Sequence, residues 1–184
     1  HFARLWTWLA LALAAACSST GGVTLRIAQV GDSEFVLYGT GDAVMPLATR
    51  WGGDEVNAPQ PWRLTQHPSS DGAMIVAIAD ADGRCLEAPM AIGAPMRLAP
   101  CDDNERQQFR VAGFDISPSG SPNSLIDPPD LSGLLRRDGF VIRARAVDGC
   151  VGVARDERSS PIGVALLPCE DAGGWTRYRA TFNR

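Results

Sequence analysis

An all-β fold, either a barrel or a sandwich, is what this sequence predicts, and three observations carry the prediction. A block of roughly forty residues recurs three times, and a repeat decides the fold before propensity does. Each copy reads as short strands separated by closely spaced turns. After Cys17 no stretch shows sustained helical periodicity.

The clearest copy is Gly83 to Val111, where two cysteines sixteen residues apart bracket a Pro/Gly-punctuated pattern that closes on Gln107-Gln108-Phe109. Aligned, the blocks end on Trp62-Arg63-Leu64, Phe109-Arg110-Val111 and Tyr178-Arg179-Ala180, three copies of aromatic-Arg-apolar. Each block opens on a strand pattern: Val23 to Ala28, Met74 to Ala79 and Phe140 to Ala146. In the last of these Val141, Arg143 and Arg145 alternate with Ile142, Ala144 and Ala146, the period of a half-buried strand. A polar turn follows in each block: Gly31-Asp32-Ser33, Asp80 to Gly83, and Asp148-Gly149. Second strands are expected to begin near Phe35, Cys85 and Cys150. Third strands are expected over Met45–Thr49, Met96–Pro100 and Val164–Pro168, with a fourth carrying the closing aromatic.

The chain has 184 residues, 45% of them hydrophobic, and a formal charge of −4, enough for one sizeable core and weakly acidic. Every one of the 17 basic residues is arginine, the mark of a GC-rich genome, and the acidic balance argues against a nucleic-acid partner. The chain begins at His1 rather than Met, so the true start codon is expected to lie upstream.

Leu5 to Ala16 is a twelve-residue apolar run behind Arg4, too short to span a membrane and the length of a signal-peptide core. A buried N-terminal helix is the competing reading. The run ends Ala14-Ala15-Ala16-Cys17-Ser18, which resembles a bacterial lipoprotein signal with Cys17 as the lipidated residue, although the leucine preferred three positions before the cysteine is Ala14 here. Residues 1–16 are therefore read as a signal peptide and 17–22 as a short linker. The mature chain is expected to be exported, at the outer membrane or periplasm or secreted from a Gram-negative bacterium, touching a membrane only through the lipid. Disulfides persist in such a compartment.

Removing Cys17 leaves four cysteines and three possible connectivities. The repeat selects Cys85–Cys101 and Cys150–Cys169, because each pair holds the same place in its block. Zinc sites need close-spaced cysteine pairs or several histidines, and neither is present, so no metal is expected. No cofactor motif or phosphate loop is found.

Threefold blocks with a Gln-x-aromatic closer, Gln60-Pro61-Trp62 in block one and Gln107-Gln108-Phe109 in block two, resemble the ricin B-type β-trefoil family. The resemblance covers Val23 to Phe182 and is carried by Gln60 to Leu64, Gln107 to Val111, and the Leu-x-Pro-Cys segments Leu98–Cys101 and Leu166–Cys169. It implies a six-stranded barrel capped by three hairpins, with repeats at 23–65, 72–112 and 139–182 in one domain over 23–184. Trp62, Phe109 and Tyr178 would then fill the barrel interior as scaffold. Two departures stand out. Block one has no cysteines and inserts residues 51–58 before its closer. Between blocks two and three, residues 113–138 are rich in proline, which excludes a central strand or helix and reads as a long surface loop. A single helical turn within it is expected, if anywhere, at Leu131 to Arg137.

Lectins of this family bind sugar with an acid two residues after the first cysteine, an aromatic platform before the second, and an amide beside the closer. A carboxylate and amide exchange hydrogen bonds with hydroxyls while a ring stacks on the apolar sugar face. Block two supplies Glu87 and Gln107, with Arg97 completing the candidate carbohydrate-binding set, but its platform is Ala99 and Arg106 replaces the expected Asn. Block three has Gly152 and Leu167 at the acid and platform positions, and block one has Val36 at the acid position. None of the three sites is complete.

Enzymatic readings lack residues. Of two histidines, His1 lies in the signal and His67 precedes Pro68 in an inter-block turn, so no catalytic residue is assigned. A whole trefoil with decayed sugar sites resembles the A and C subunits of cytolethal distending toxin, on the strength of Gly139 to Cys150 and the block-one insertion. That resemblance implies a non-enzymatic subunit that attaches to host cells, through a glycan or membrane receptor, and to a catalytic partner and a second trefoil subunit. Trp51, in the insertion, is the candidate for surface recognition. A free-standing carbohydrate-binding lipoprotein and a trefoil protease inhibitor acting through 113–138 are the alternatives.

Overall fold

The computed structural model describes residues 23–30, 33–51, 54–55, 61–116, 122–126, 139–169 and 178–182. The expected signal peptide, linker and lipidated Cys17, and the expected helical turn at Leu131 to Arg137, lie outside them.

Alternation of apolar and polar residues makes the strands, and the closers make the core. The described elements are β1 (Val23–Val30), β2 (Ser33–Thr40), β3 (Ala43–Trp51), β4 (Asp54–Glu55), β5 (Arg63–His67), β6 (Ile75–Ala79), β7 (Arg84–Glu87) and β8 (Arg97–Pro100). A short 3-10 turn (Glu105–Gln107) precedes β9 (Phe109–Ile116), β10 (Pro122–Ile126), β11 (Phe140–Ala144), β12 (Cys150–Arg155), β13 (Pro161–Leu167) and β14 (Tyr178–Phe182). All their pairings are antiparallel.

The fold is a β-trefoil. Six strands, β1, β5, β6, β9, β11 and β14, form the barrel through the pairs β5–β6, β6–β9, β9–β11, β11–β14 and β14–β1. The hairpins β2–β3, β7–β8 and β12–β13 cap it, one per block. They also bond to one another. Ala43 pairs with Arg97, Leu98 N–H donates to Asp42 O at 2.8 Å, and Met96 N–H donates to Val164 O at 2.9 Å. Gly93 N–H reaches Leu166 O at 2.7 Å.

Trp62, Phe109 and Tyr178 are fully buried in one cluster with Leu25, Leu37, Leu64, Ile78, Leu86, Val111, Ile142, Val151 and Leu166. Full burial of each such side chain is worth roughly 1.5–3 kcal/mol. The two closers with a polar handle satisfy it on the second strand of their own block. Trp62 Nε1 donates to Leu37 O at 2.9 Å, and Tyr178 Oη donates to Val151 O at 3.0 Å. Desolvation in that cluster pushes the Tyr178 hydroxyl pKa far up, so it serves as a neutral donor. The Phe140 and Tyr178 rings, opposite one another in register, sit with centroids 6.0 Å apart.

Both disulfides form as the repeat requires, Cys85–Cys101 and Cys150–Cys169, with Cα atoms 5.0 and 4.9 Å apart. Cys150 belongs to a small second cluster with Ala112 and Val141, against which Cys169 packs.

The segment 113–138 departs from the expected loop. Strand β9 continues through Ile116, and β10 returns beside it with Leu125 opposite Phe114 and Ile126 opposite Gly113. Pro122 begins β10, and β10 lies at the end of the sheet order, the places where a proline costs no ladder hydrogen bond. Proline density excludes a central strand there but not an edge strand. The block-one insertion likewise contributes strand: β3 runs to Trp51, and β4 folds back with Arg50 opposite Glu55 and Trp51 opposite Asp54.

Candidate functional site

The acid position of block two is where the sequence reading puts its candidate carbohydrate-binding set, Glu87, Arg97 and Gln107. Strand β7 alternates, sending Leu86 into the core and Glu87 to the other face, directly opposite Arg97 on β8. Asn104 caps the following 3-10 turn, its side-chain oxygen accepting the Arg106 N–H at 2.8 Å. A reciprocal pair of bonds stitches that turn to the end of β7: Ala88 N–H to Arg106 O at 2.8 Å, and Arg106 Nε to Ala88 O at 2.9 Å. Arg106 and Gln107 are thereby aimed at Glu87.

The result is a closed network. Glu87 is 3% exposed. Its Oε1 accepts Arg97 Nε at 2.8 Å and Nη2 at 2.5 Å, and Arg106 Nη2 lies 2.8 Å from the same oxygen. Oε2 accepts Gln107 Nε2 at 3.1 Å. The Gln107 amide also donates to Pro100 O at 2.8 Å, and its oxygen accepts Asp102 N–H at 3.0 Å. Burial pulls the Glu87 pKa upward, but the hydrogen bonds from Arg97 and Gln107 and the charges of the two arginines outweigh it and hold the carboxyl below its ordinary range.

The structure thus brings the predicted Glu87, Arg97 and Gln107 together and adds Arg106, which the sequence reading notes only as the residue in place of the expected Asn. Ala99, at the platform position, stands opposite Cys85 and offers no ring. In block three Gly152 faces Ala165 and Leu167 faces Cys150. In block one Leu37 corresponds to Val151, since each accepts the polar handle of its closer, so Tyr38, opposite Met45, stands where Gly152 stands, and the expected Val36 lies two residues earlier on the same face. A carboxylate at this position exists in block two alone, and there both of its oxygens are engaged.

A second buried carboxylate escaped the sequence reading, which took Asp80 to Gly83 as a polar turn. Asp80 is buried; its Oδ1 accepts Arg84 N–H at 2.8 Å, and its Oδ2 accepts Arg84 Nε and Nη2 at 3.0 and 2.7 Å. Arg84 Nη1 also donates to Gly41 O, tying this turn to the β2–β3 hairpin. The Asp-x-x-x-Arg spacing was the available signal. His67, the histidine outside the expected signal, lies with Nε2 3.5 Å from Asp103 Oδ1. Among the described residues no group of His, Cys, Asp and Glu is arranged to hold a metal ion, and no helix is long and apolar enough to cross a membrane.

No family model matches the sequence, and no curated protein matches it. Solved structures do. ThreeFoil, a designed 3-fold symmetric protein, is 17% identical and superposes with a TM-score of 0.56 over 88% of this chain and 99% of its own. The BEL β-trefoil in an apo crystal form is 16% identical, with a TM-score of 0.52 over 89% of this chain and 94% of its own. The Haemophilus ducreyi cytolethal distending toxin is 15% identical, with a TM-score of 0.44 over 88% of this chain and 81% of that one. What the chain shares with ThreeFoil and BEL is the β-trefoil fold.

Proposed function

We propose that this chain is a non-enzymatic, exported recognition trefoil, a binding subunit of the kind its sequence resembles in the cytolethal distending toxin A and C subunits. In this reading it attaches to a host-cell surface or to a catalytic partner chain through its loops. The observation that carries the proposal is the state of Glu87. The residue that would receive a sugar hydroxyl is spent on Arg97, Arg106 and Gln107, so the scaffold is intact while its family pocket is sealed. Two disulfides suit an oxidising compartment. Trp51 ends β3 opposite Asp54 of β4, and a large aromatic residue in a block-specific insertion is the residue type that anchors interfaces.

The alternative is a free-standing carbohydrate-binding lipoprotein. It is favoured by Arg97, which remains 57% exposed beside Glu87. One binding assay separates the two. Trp51→Ala should weaken attachment to cells or to a partner chain with little change in thermal stability, while Arg97→Ala leaves attachment intact. If Arg97→Ala abolished attachment and Trp51→Ala did nothing, the loop reading would give way to the lectin.

A further inference from the structure

The seam between blocks two and three holds a cleft of about 290 Å³ on the outside of the barrel. Phe109 and Val111 point into the core, so Arg110 between them points out. Ile142 and Ala144 likewise bracket Arg143. Arg110, Arg143 and Arg145 line the cleft with Asp71 and Asp148, over buried Ile75. The volume is near the lower end for small-ligand pockets, which run from about 300 Å³ upward.

Register makes this concentration of charge costly. Arg143 stands directly opposite Arg110, and like charges so placed on a sheet repel. Arg145 follows two residues on, its backbone N–H still bonded to Gln108 O at 3.2 Å, and Nη1 donates to Gln108 Oε1 at 2.6 Å. Carboxylates share the cleft with these arginines. Asp148 meets Arg143 Nη2 at 2.8 Å, but its side chain is 87% exposed, and pairs of that kind contribute little. Asp71 Oδ1 accepts the Ser69 hydroxyl and, at 3.1 Å, the Ala73 N–H, while its charge also acts on Arg110, and Arg145 Nη2 lies 3.9 Å from Glu105 Oε1. The chain as a whole carries −4, so three guanidiniums in one concave place are a local feature.

We propose that this cleft binds an oxyanion group, a sulfate, phosphate or carboxylate, borne by a small ligand. Guanidinium forks match such oxygens geometrically, and a bound anion relieves the Arg110–Arg143 repulsion. Asp148 is then a resident competitor that holds Arg143 in the empty site and turns to solvent when the anion enters. The proposal stands on the cleft alone and is independent of how the chain attaches to cells.

The test is isothermal titration of the full exported chain, at constant ionic strength, with inorganic sulfate, inorganic phosphate, glucuronate and glucosamine 6-sulfate. At least one should bind saturably. Arg143→Gln and Arg110→Gln should each weaken it by about tenfold or more, the weight of one charge-assisted hydrogen bond. Asp148→Asn should tighten it, and at so exposed a position it does not threaten folding. Tighter binding of glucosamine 6-sulfate than of sulfate points to a saccharide ligand; equal binding points to a free anion. No saturable binding by any of the four, or binding unchanged in Arg143→Gln and in Asp148→Asn, overturns the proposal.

Discussion

Gln107 donates its side-chain amide to Glu87 Oε2 at 3.1 Å, joining the closer of block two to the acid position of the same block. In a sugar site both groups would face the ligand. Here they face each other, and Arg97 and Arg106 complete the shell. A structural role for Glu87 has measurable consequences.

Glu87→Gln should destabilise the protein by about 1–3 kcal/mol at neutral pH, because charge-assisted bonds to two arginines become neutral ones. The folded carboxyl titrates below its ordinary value of 4.5. Its contribution is therefore complete above that value and is lost as pH falls through the lower folded value. Thermal unfolding of wild type and variant from neutral to strongly acid pH should show the gap closing at the acid end. A gap constant across the range would contradict the charge argument.

The two disulfides should differ in accessibility. Each closes a short loop, 16 and 19 residues in separation, and should contribute roughly 3 kcal/mol. Cys101 is exposed, whereas Cys150 is fully buried in its apolar cluster. Graded reduction followed by alkylation and peptide mapping should label Cys85 and Cys101 before Cys150 and Cys169. A mapped link between Cys85 and Cys150 would break the repeat alignment itself.

Tyr178→Phe should cost about 1 kcal/mol, the net worth of the hydrogen bond to Val151 O. Trp62→Ala removes packing as well and should cost about 3–5 kcal/mol. Block two already closes on a phenylalanine without a polar handle, so Tyr178→Phe should leave the fold unchanged by circular dichroism. Chemical denaturation gives both numbers.

Two glycines separate space from backbone. A Cβ on Gly149 would lie 2.5 Å from Ile92 Cδ1 and 2.7 Å from Leu166 Cγ, and Leu166 is fully buried where the hairpins meet. Gly149→Ala should therefore cost about 1–3 kcal/mol through overpacking. Gly83 has open space around it but a φ of +79°, so Gly83→Ala should cost about 1–2 kcal/mol through backbone strain alone. Adding Ile92→Ala should recover part of the Gly149→Ala loss and none of the Gly83→Ala loss.

Repetition and period made much of this molecule legible in one dimension. The three aromatic closers are buried together because each ends a block whose strands alternate with period two, and a repeated block buries the same residue each time. The cysteine pairing followed from the same equivalence. What tertiary structure decided was the partner of each charge. Arg106 meets Glu87 only because a capped 3-10 turn swings it back across 19 residues of chain. Arg110 meets Arg143 only because β9 and β11 pair across the segment that the proline pattern marked as a loop. Strand pairing over such distances depends on register between segments, and local propensity carries no record of it. The edge strand β10 was hidden for the same reason: proline forbids the middle of a sheet, and only the finished sheet has an edge.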